Sequence, residues 1–233
     1  MYISLDNYLS EFVQTTDFPS LDAMYYIMNK FDNPQKNLKF IHIAGTNGKG
    51  SICEMLSQTL TNSGYKAGKF ISPHLLVSNE SIWIDNIMIS DEEIQHYLPR
   101  LTAIANDFEA EYSRKVTRFE ILTSLAILYY HDNNCDICVL ETGLGGTYDC
   151  TNIVDSIISV FGSISLDHTS ILGNSLKEIT NQKAGIIKNN NDTVIFNQDT
   201  DVIEIIKEDI DTIWYMLMFI SYFDCAQNQA LFF

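Results

Sequence analysis

Ile41-His42-Ile43-Ala44 runs directly into Gly45-Thr46-Asn47-Gly48-Lys49-Gly50-Ser51. An apolar strand that ends in three glycines and a lysine, with a helix-forming stretch behind it, builds a loop whose amides converge at a helix N-terminus. Such a loop cradles phosphate oxygens. No other stretch constrains the fold as much, because it requires a buried strand, a following helix and a further strand to complete a βαβ unit.

The chain after the loop supplies those elements. Leu21, Met24, Tyr25 and Met28 recur at helical spacing, and Lys39 to Ala44 reads as the first buried strand. Ile52 to Thr61 reads as the helix after the loop, closed by Gly64, and Ala67 to Ile71 as the next strand, ended by Ser72-Pro73. Ile82 to Ile84 and Ile87 to Ile89, split by Asp85-Asn86, read as a hairpin. Ser90-Asp91-Glu92-Glu93 is a capping box that predicts one helix running toward Tyr112, and a buried helix follows from Phe119 to His131. Ile137 to Leu140 and Ile157 to Ile164 are apolar runs of the kind that form parallel strands buried on both faces. Ser175 to Glu178 is another capping box, Thr193 to Phe196 a short strand and Val202 to Ile210 a helix. The alternation predicts an α/β fold, a doubly wound and mostly parallel sheet with a phosphate loop.

Ile213 to Phe223 is apolar without helical or strand period, and its eleven residues are too few to span a bilayer, which needs about 20. The expected organisation is therefore an incomplete ATP-binding domain over 1–208 and an unpatterned tail over 209–233, as a frameshifted or truncated reading would leave. No repeat or low-complexity linker interrupts the chain.

A formal net charge of -16 leaves no clustered Lys and Arg for nucleic acid or an acidic membrane. Phosphate must be handled locally by loop amides, one lysine and metal ions. The N-terminus lacks the basic and apolar regions of a secretory signal, and five scattered cysteines do not form a disulfide framework, so a cytoplasmic address is expected. Cys135 and Cys138 match C-x-x-C at a strand entry, where alternation sends them to opposite faces, and read as small buried apolar residues.

Ligands of an open parallel sheet bind at the carboxyl ends of its strands, and Lys49, Ser72, Glu141 and His168 each follow an apolar run to that edge. Singly they are a solvated helix start, a turn residue, a strand-end acid and a loop histidine. Their convergence on one edge is what points to function.

The loop departs from G-x-x-x-x-G-K-[ST], since position 43 is Ile and Gly50 separates Lys49 from Ser51. It resembles instead the ATP loop of the Mur ligase superfamily, and with His42 before it the loop of folylpolyglutamate synthase and the bifunctional dihydrofolate synthase. Ser72-Pro73-His74-Leu75 with Glu80, Thr117 with Phe119-Glu120, Glu141 to Gly146 with Asp149 and Thr151-Asn152, Leu166-Asp167-His168, and Lys183 to Lys188 follow in the order of that family.

The resemblance implies an ATP-dependent ligase of folate metabolism. ATP phosphorylates a folate carboxylate, L-glutamate attacks the acyl phosphate, and phosphate leaves. It implies that Gly45, Thr46, Asn47, Gly48, Lys49, Gly50 and Ser51 bind ATP, with Lys49 and Lys183 catalytic. It further implies that Ser72, Glu141 and His168 hold two Mg²⁺ ions, that Thr117, Phe119, Glu120 and Asp149 face folate, and that Lys183 is carbamylated. A monomer is expected, and tetrahydrofolate and dihydropteroate both stay open as acceptor. A Mur-type amino-acid ligase of cell-wall synthesis and a non-catalytic nucleotide-binding remnant are the alternatives. Ser81 and Thr147 stand where the family has Arg, and Gln182 where it has Glu, which removes bidentate donors. The family's second domain is also missing, so little ligase turnover is expected of this chain alone.

Overall fold

The computed structural model describes residues 2–15, 20–189, 191–196 and 198–208, and the backbone of Ile213–Met216. Eight strands form one sheet in the order β4-β3-β2-β5-β1-β6-β7-β8. They are β1 (Phe40–Ala44), β2 (Ala67–Phe70), β3 (Ile82–Ile84), β4 (Ile87–Met88), β5 (Ile137–Glu141), β6 (Ser156–Phe161), β7 (Asp192–Phe196) and β8 (Ile213–Met216). Only the β2–β3 and β3–β4 pairs are antiparallel, so the mostly parallel, doubly wound sheet expected from the alternation is present.

Strand alternation sorts the side chains into two layers. Phe40 packs with Tyr130, Phe70 and Leu140, in a core built against α2 (Asp22–Asn29), α5 (Leu98–Tyr112) and α6 (Arg118–Asp132). Ala44 lies on the same face of β1 and joins a second cluster with Ile179, Ile195 and Ile206, under α8 (Leu176–Ala184) and α9 (Thr200–Glu208). Ile41 and Ile43 point the other way, toward Cys53 on α3 (Lys49–Asn62). The helix after β1 thus covers one face and the helices after β6 and β7 the other. The chain reverses its winding at β1, and the phosphate loop leaves from that switch point.

Several elements differ from the sequence reading. α1 (Leu5–Leu9) and α7 (Thr169–Leu172) were not expected. The capping box at Ser90 forms as read, but it opens only α4 (Asp91–Ile94), and the chain breaks at Gln95–Tyr97 before α5. Pro99 is the cause, since its ring would clash with the carbonyl of Gln95 four residues back and it offers no amide in return. The hairpin holds, with left-handed Asp85 and Asn86 at φ 49° and 64° as a two-residue turn requires.

Ile213–Met216, read as part of an unpatterned tail, pairs parallel with β7. Its four residues form the outermost strand described in the sheet, too short a run for a strand period to show in the sequence. Residues 217–233, the rest of that tail, lie outside the described residues. Cys135 sits just ahead of β5 and so escapes strand alternation; it and Cys138 are buried free thiols in one core cluster. Among the described residues no helix is long and apolar enough to cross a membrane.

Candidate functional site

The site begins where β1 ends. Thr46 N donates to Ser163 O at 2.7 Å and Thr46 Oγ1 to Ser165 O at 3.1 Å, so the first half of the loop is tied to the segment after β6. Gly48 caps α3 at φ 83°, a left-handed conformation that explains glycine there. The helical ladder is joined by Ile52 N donating to Gly48 O. The amides of Lys49, Gly50 and Ser51 precede that bond and present the positive end of α3 to an anion.

Glu141, at the end of β5, closes the other side. Its Oε1 lies 3.8 Å from Lys49 Nζ and its Oε2 accepts from Ser72 N at 3.2 Å. Burial raises the Glu141 pKa, and the Ser72 amide and Lys49 only partly offset this. Beside it, Ser72 Oγ is buried with no hydrogen-bond partner. A buried hydroxyl and a buried carboxylate short of partners are the oxygen donors that a hard divalent cation uses.

Lys183 reaches the loop from α8. It is 4% exposed, and its Nζ donates to Gly45 O at 2.8 Å. Burial, with the charge of Lys49 second, lowers its pKa to about 8. Lys49, Lys183, Ser72 and Glu141 are therefore brought to one crevice. His168 stands apart: its imidazole is largely exposed and only Asp167, 3.6 Å away, faces it. Among the described residues no three His, Cys, Asp or Glu side chains gather closely enough to hold a metal ion.

The residues expected on the folate side are heavily engaged already. Thr117 caps α6, and Glu120 accepts from Thr117 N at 2.7 Å and from both terminal nitrogens of Arg114. Phe119 packs on Phe70 with ring centroids 5.9 Å apart. Asp149 is buried, accepting from Leu144 N at 2.8 Å and Thr151 N at 3.0 Å, which makes it a brace of the Gly143–Gly146 turn. Behind it, buried His42 meets Thr151 Oγ1 at 2.7 Å, and burial drives its pKa to about 3. Thr151 in turn donates to Asp149, so Thr151 Oγ1 must accept from His42 Nε2–H. His42 is thus a neutral prop, a role its place inside a strand hides in the sequence.

The turn also packs on α8. A Cβ at Gly146 would come within 2.6 Å of both Gln182 O and Lys183 O, so only glycine allows this approach. Thr147 N and Oγ1 donate to Gln182 O at 2.8 and 3.1 Å, giving Thr147 a positioning contact in place of a charge. Ser81 is fully buried and its hydroxyl is unpartnered. Glu80 accepts from the amides of Leu75, Leu76 and Val77, holding a loop that exposes Leu75 and Leu76 almost completely.

This geometry coincides with a known family. The Mur ligase middle domain matches residues 43–229. The chain belongs to the folylpolyglutamate and dihydrofolate synthase family of Mur ligases. The dihydrofolate synthetase of Saccharomyces cerevisiae is 41% identical over 193 residues, covering 81% of this chain and 44% of that protein. The dihydrofolate synthase/folylpolyglutamate synthase of Bacillus subtilis is 37% identical over 198 residues, covering 83% and 45%. Among solved structures, a folylpolyglutamate synthase complex with AMPPCP and folate superposes with a TM-score of 0.85 at 29% identity, covering 91% of this chain and 53% of that one. The Mycobacterium tuberculosis folylpolyglutamate synthase complexed with ADP and AMPPCP gives 0.80 at 29%, covering 91% and 49%. The chain thus spans about half the length of these relatives and is homologous to ATP-dependent folate–glutamate ligases.

Proposed function

We propose that the chain serves an ATP-dependent ligase reaction that joins L-glutamate to the carboxylate of a folate or a dihydropteroate through an acyl phosphate. The observation that carries this reading is the Glu141 carboxylate set between Lys49 at 3.8 Å and the Ser72 amide at 3.2 Å, at the mouth of the glycine loop. The loop residues Gly45 to Ser51 hold the phosphate chain. The amides at the start of α3 and Lys49 stabilise charge that moves onto the leaving phosphate, the term that dominates phosphoryl transfer.

Ser72 and Glu141 would hold Mg²⁺, since the Ser72 hydroxyl is buried without a partner beside a Glu141 carboxyl whose pKa burial raises despite Lys49 and the Ser72 amide. When bound, the ion neutralises phosphate charge. His168 would hold a second ion. Thr117 and Phe119 line the folate side, with Glu120 and Asp149 bracing it.

Lys183 is assigned a carbamate. At a pKa of about 8 a fraction of the amine is neutral near pH 7, and its lone pair adds to carbon dioxide, forming the C–N bond and releasing one proton. The resulting carboxylate faces Lys49, whose charge disfavours the ammonium form and favours the carbamate.

The test is calorimetric and enzymatic together. The chain is expected to bind AMPPCP more tightly with Mg²⁺ than without, and to release phosphate from ATP only when a folate or dihydropteroate and L-glutamate are both present. Binding with no acceptor-dependent release would leave a nucleotide-binding module, and release with a cell-wall peptide precursor instead of folate would refute the folate assignment.

A further inference from the structure

A second concave site lies at the opposite end of α6 from its Thr117 cap. The 15-residue helix separates the two by ~22 Å at 1.5 Å per residue. Asp132 ends α6 ahead of β5, whereas Glu141 ends β5, so this cavity opens at the other edge of the sheet from the glycine loop. Its volume is about 200 Å³.

The lining divides by chemistry. Pro34 and Leu128 are buried and form an apolar floor. Arg100 stacks its guanidinium 4.1 Å from the Phe31 ring centroid, and one terminal nitrogen donates to Lys30 O. That leaves Nε and the other terminal nitrogen to donate into the rim. On the facing helix, His131 Nδ1 lies 3.1 Å from Asp132 Oδ1, and Tyr97 lines the same cavity. The carboxylate is thereby held from one side while keeping acceptor capacity, and the Nδ1–H···O bond leaves His131 Nε2 as an acceptor in the neutral ring.

A cation that offers a planar donor fork and an anion held by His131 thus share one rim above an apolar floor. A simple anion would meet Asp132 and a simple cation would meet Arg100. A ligand carrying both charges and an apolar body satisfies all three surfaces. We propose that this cavity is a binding site for a small zwitterionic α-amino acid with an apolar side chain, its carboxylate on Arg100, its ammonium on Asp132 and His131, and its side chain on Pro34 and Leu128. The site stands apart from the phosphate loop and is independent of the ligase reading.

The test is a titration of the full chain with L-leucine, L-methionine and L-phenylalanine, followed by NMR of the histidine rings and the leucine methyls. Saturable shifts are expected at His96, His131 and Leu128 and not around the glycine loop. L-Phenylalaninamide, which lacks the carboxylate, and hydrocinnamate, which lacks the amine, should each bind roughly tenfold or more weakly, the loss of one charge-assisted pair. Arg100→Gln and Asp132→Asn should weaken the amino acid by a similar factor. Absence of saturable shifts, equal binding of all three phenyl ligands, or unchanged affinity in both variants would overturn the proposal. The ligand series decides the matter even where a variant is poorly folded.

Discussion

The depressed basicity of Lys183 has a direct consequence for stability. Its pKa falls from 10.5 to about 8 because the amine is buried beside Lys49 with only Gly45 O to receive it. Below the folded value both states carry the proton, and the folded chain bears the full cost of a buried charge. Between the two values the folded chain has shed the proton while the unfolded chain still holds it, so the unfolded state binds more protons and stability rises with pH. Going from about pH 7 to about pH 9.5, the Lys183 contribution grows by about 2 kcal/mol. Lys183→Met keeps a long flexible side chain and removes the titration. Urea unfolding of both proteins, in buffer stripped of carbon dioxide, should show the stability gap shifting by that amount in favour of the wild type as pH rises. Buried thiols such as Cys53 and Cys138, whose pKa values are raised, titrate in both proteins and cancel in the comparison. A gap constant to within a few tenths of a kcal/mol would refute the depressed amine, and with it the chemical basis for a carbamate. With bicarbonate added, intact-mass measurement should find one carbon dioxide on the wild type and none on the variant.

Three further outcomes follow from the site. Gly146→Ala places a Cβ 2.6 Å from two main-chain oxygens that no rotamer change can move, and should cost about 2 kcal/mol or more in urea melts; a loss under about 0.5 kcal/mol would mean the turn is not seated on α8. Glu141→Ala should bring AMPPCP affinity in Mg²⁺ down to the wild-type level without Mg²⁺, by titration calorimetry, and a preserved Mg²⁺ effect would remove Glu141 from the cation site. AMPPCP binding near pH 8 should take up a fraction of a proton, because an anion beside Lys183 raises a pKa of about 8; the observed enthalpy would then depend on the ionisation enthalpy of the buffer, and identical enthalpies in two buffers would contradict it.

What the sequence made legible was local. Glycine and lysine spacing placed the loop, and apolar runs ending in Ser72 and Glu141 placed their side chains at one edge, because strand direction alone decides where such residues emerge. Capping chemistry at Gly64, Ser90 and Ser175 named three helix ends within a few residues. The break between α4 and α5 was also written locally, in Pro99, but the strength of the Ser90 box masked it. The contacts hidden from the sequence were those between distant elements. Lys183 and Gly45 are 138 positions apart, and nothing in the Lys183 neighbourhood distinguishes it from a solvated helix lysine. Asp149 and Glu120 read as open polar contacts because sequence cannot show that Leu144, Thr151 and Arg114 already occupy them. The cavity at Arg100 and Asp132 needs α5, α6 and the Phe31–Pro34 segment together, and no pattern links those three.

The electrostatics of the crevice explain why such distant contacts matter. A carboxyl whose pKa burial raises and an amine whose pKa burial lowers stand around one glycine loop, so both are pushed toward their neutral forms. In a purely structural ion pair each partner would favour the charge of the other. Here Glu141 faces Lys49 at 3.8 Å, too far for a short ion pair, and Lys183 is held by a neutral carbonyl. The crevice therefore has charged groups whose natural partners are supplied from outside: a cation for the Glu141 carboxylate and the Ser72 hydroxyl, an anion for the α3 amides and Lys49. Behind it, His42 on Thr151 and Thr151 on Asp149 hold the turn, and the Asp149 carboxyl acts on the crevice, raising the pKa of Glu141 and opposing the fall at Lys183. A protonated His42 at that position would be buried and would repel Lys188; burial, with that charge second, lowers its pKa to about 3 and keeps it neutral near pH 7. Lys49, Lys183 and Glu141 thus stand around one glycine loop with the Asp149 carboxyl behind them, an arrangement suited to a ligand that itself carries phosphate and metal.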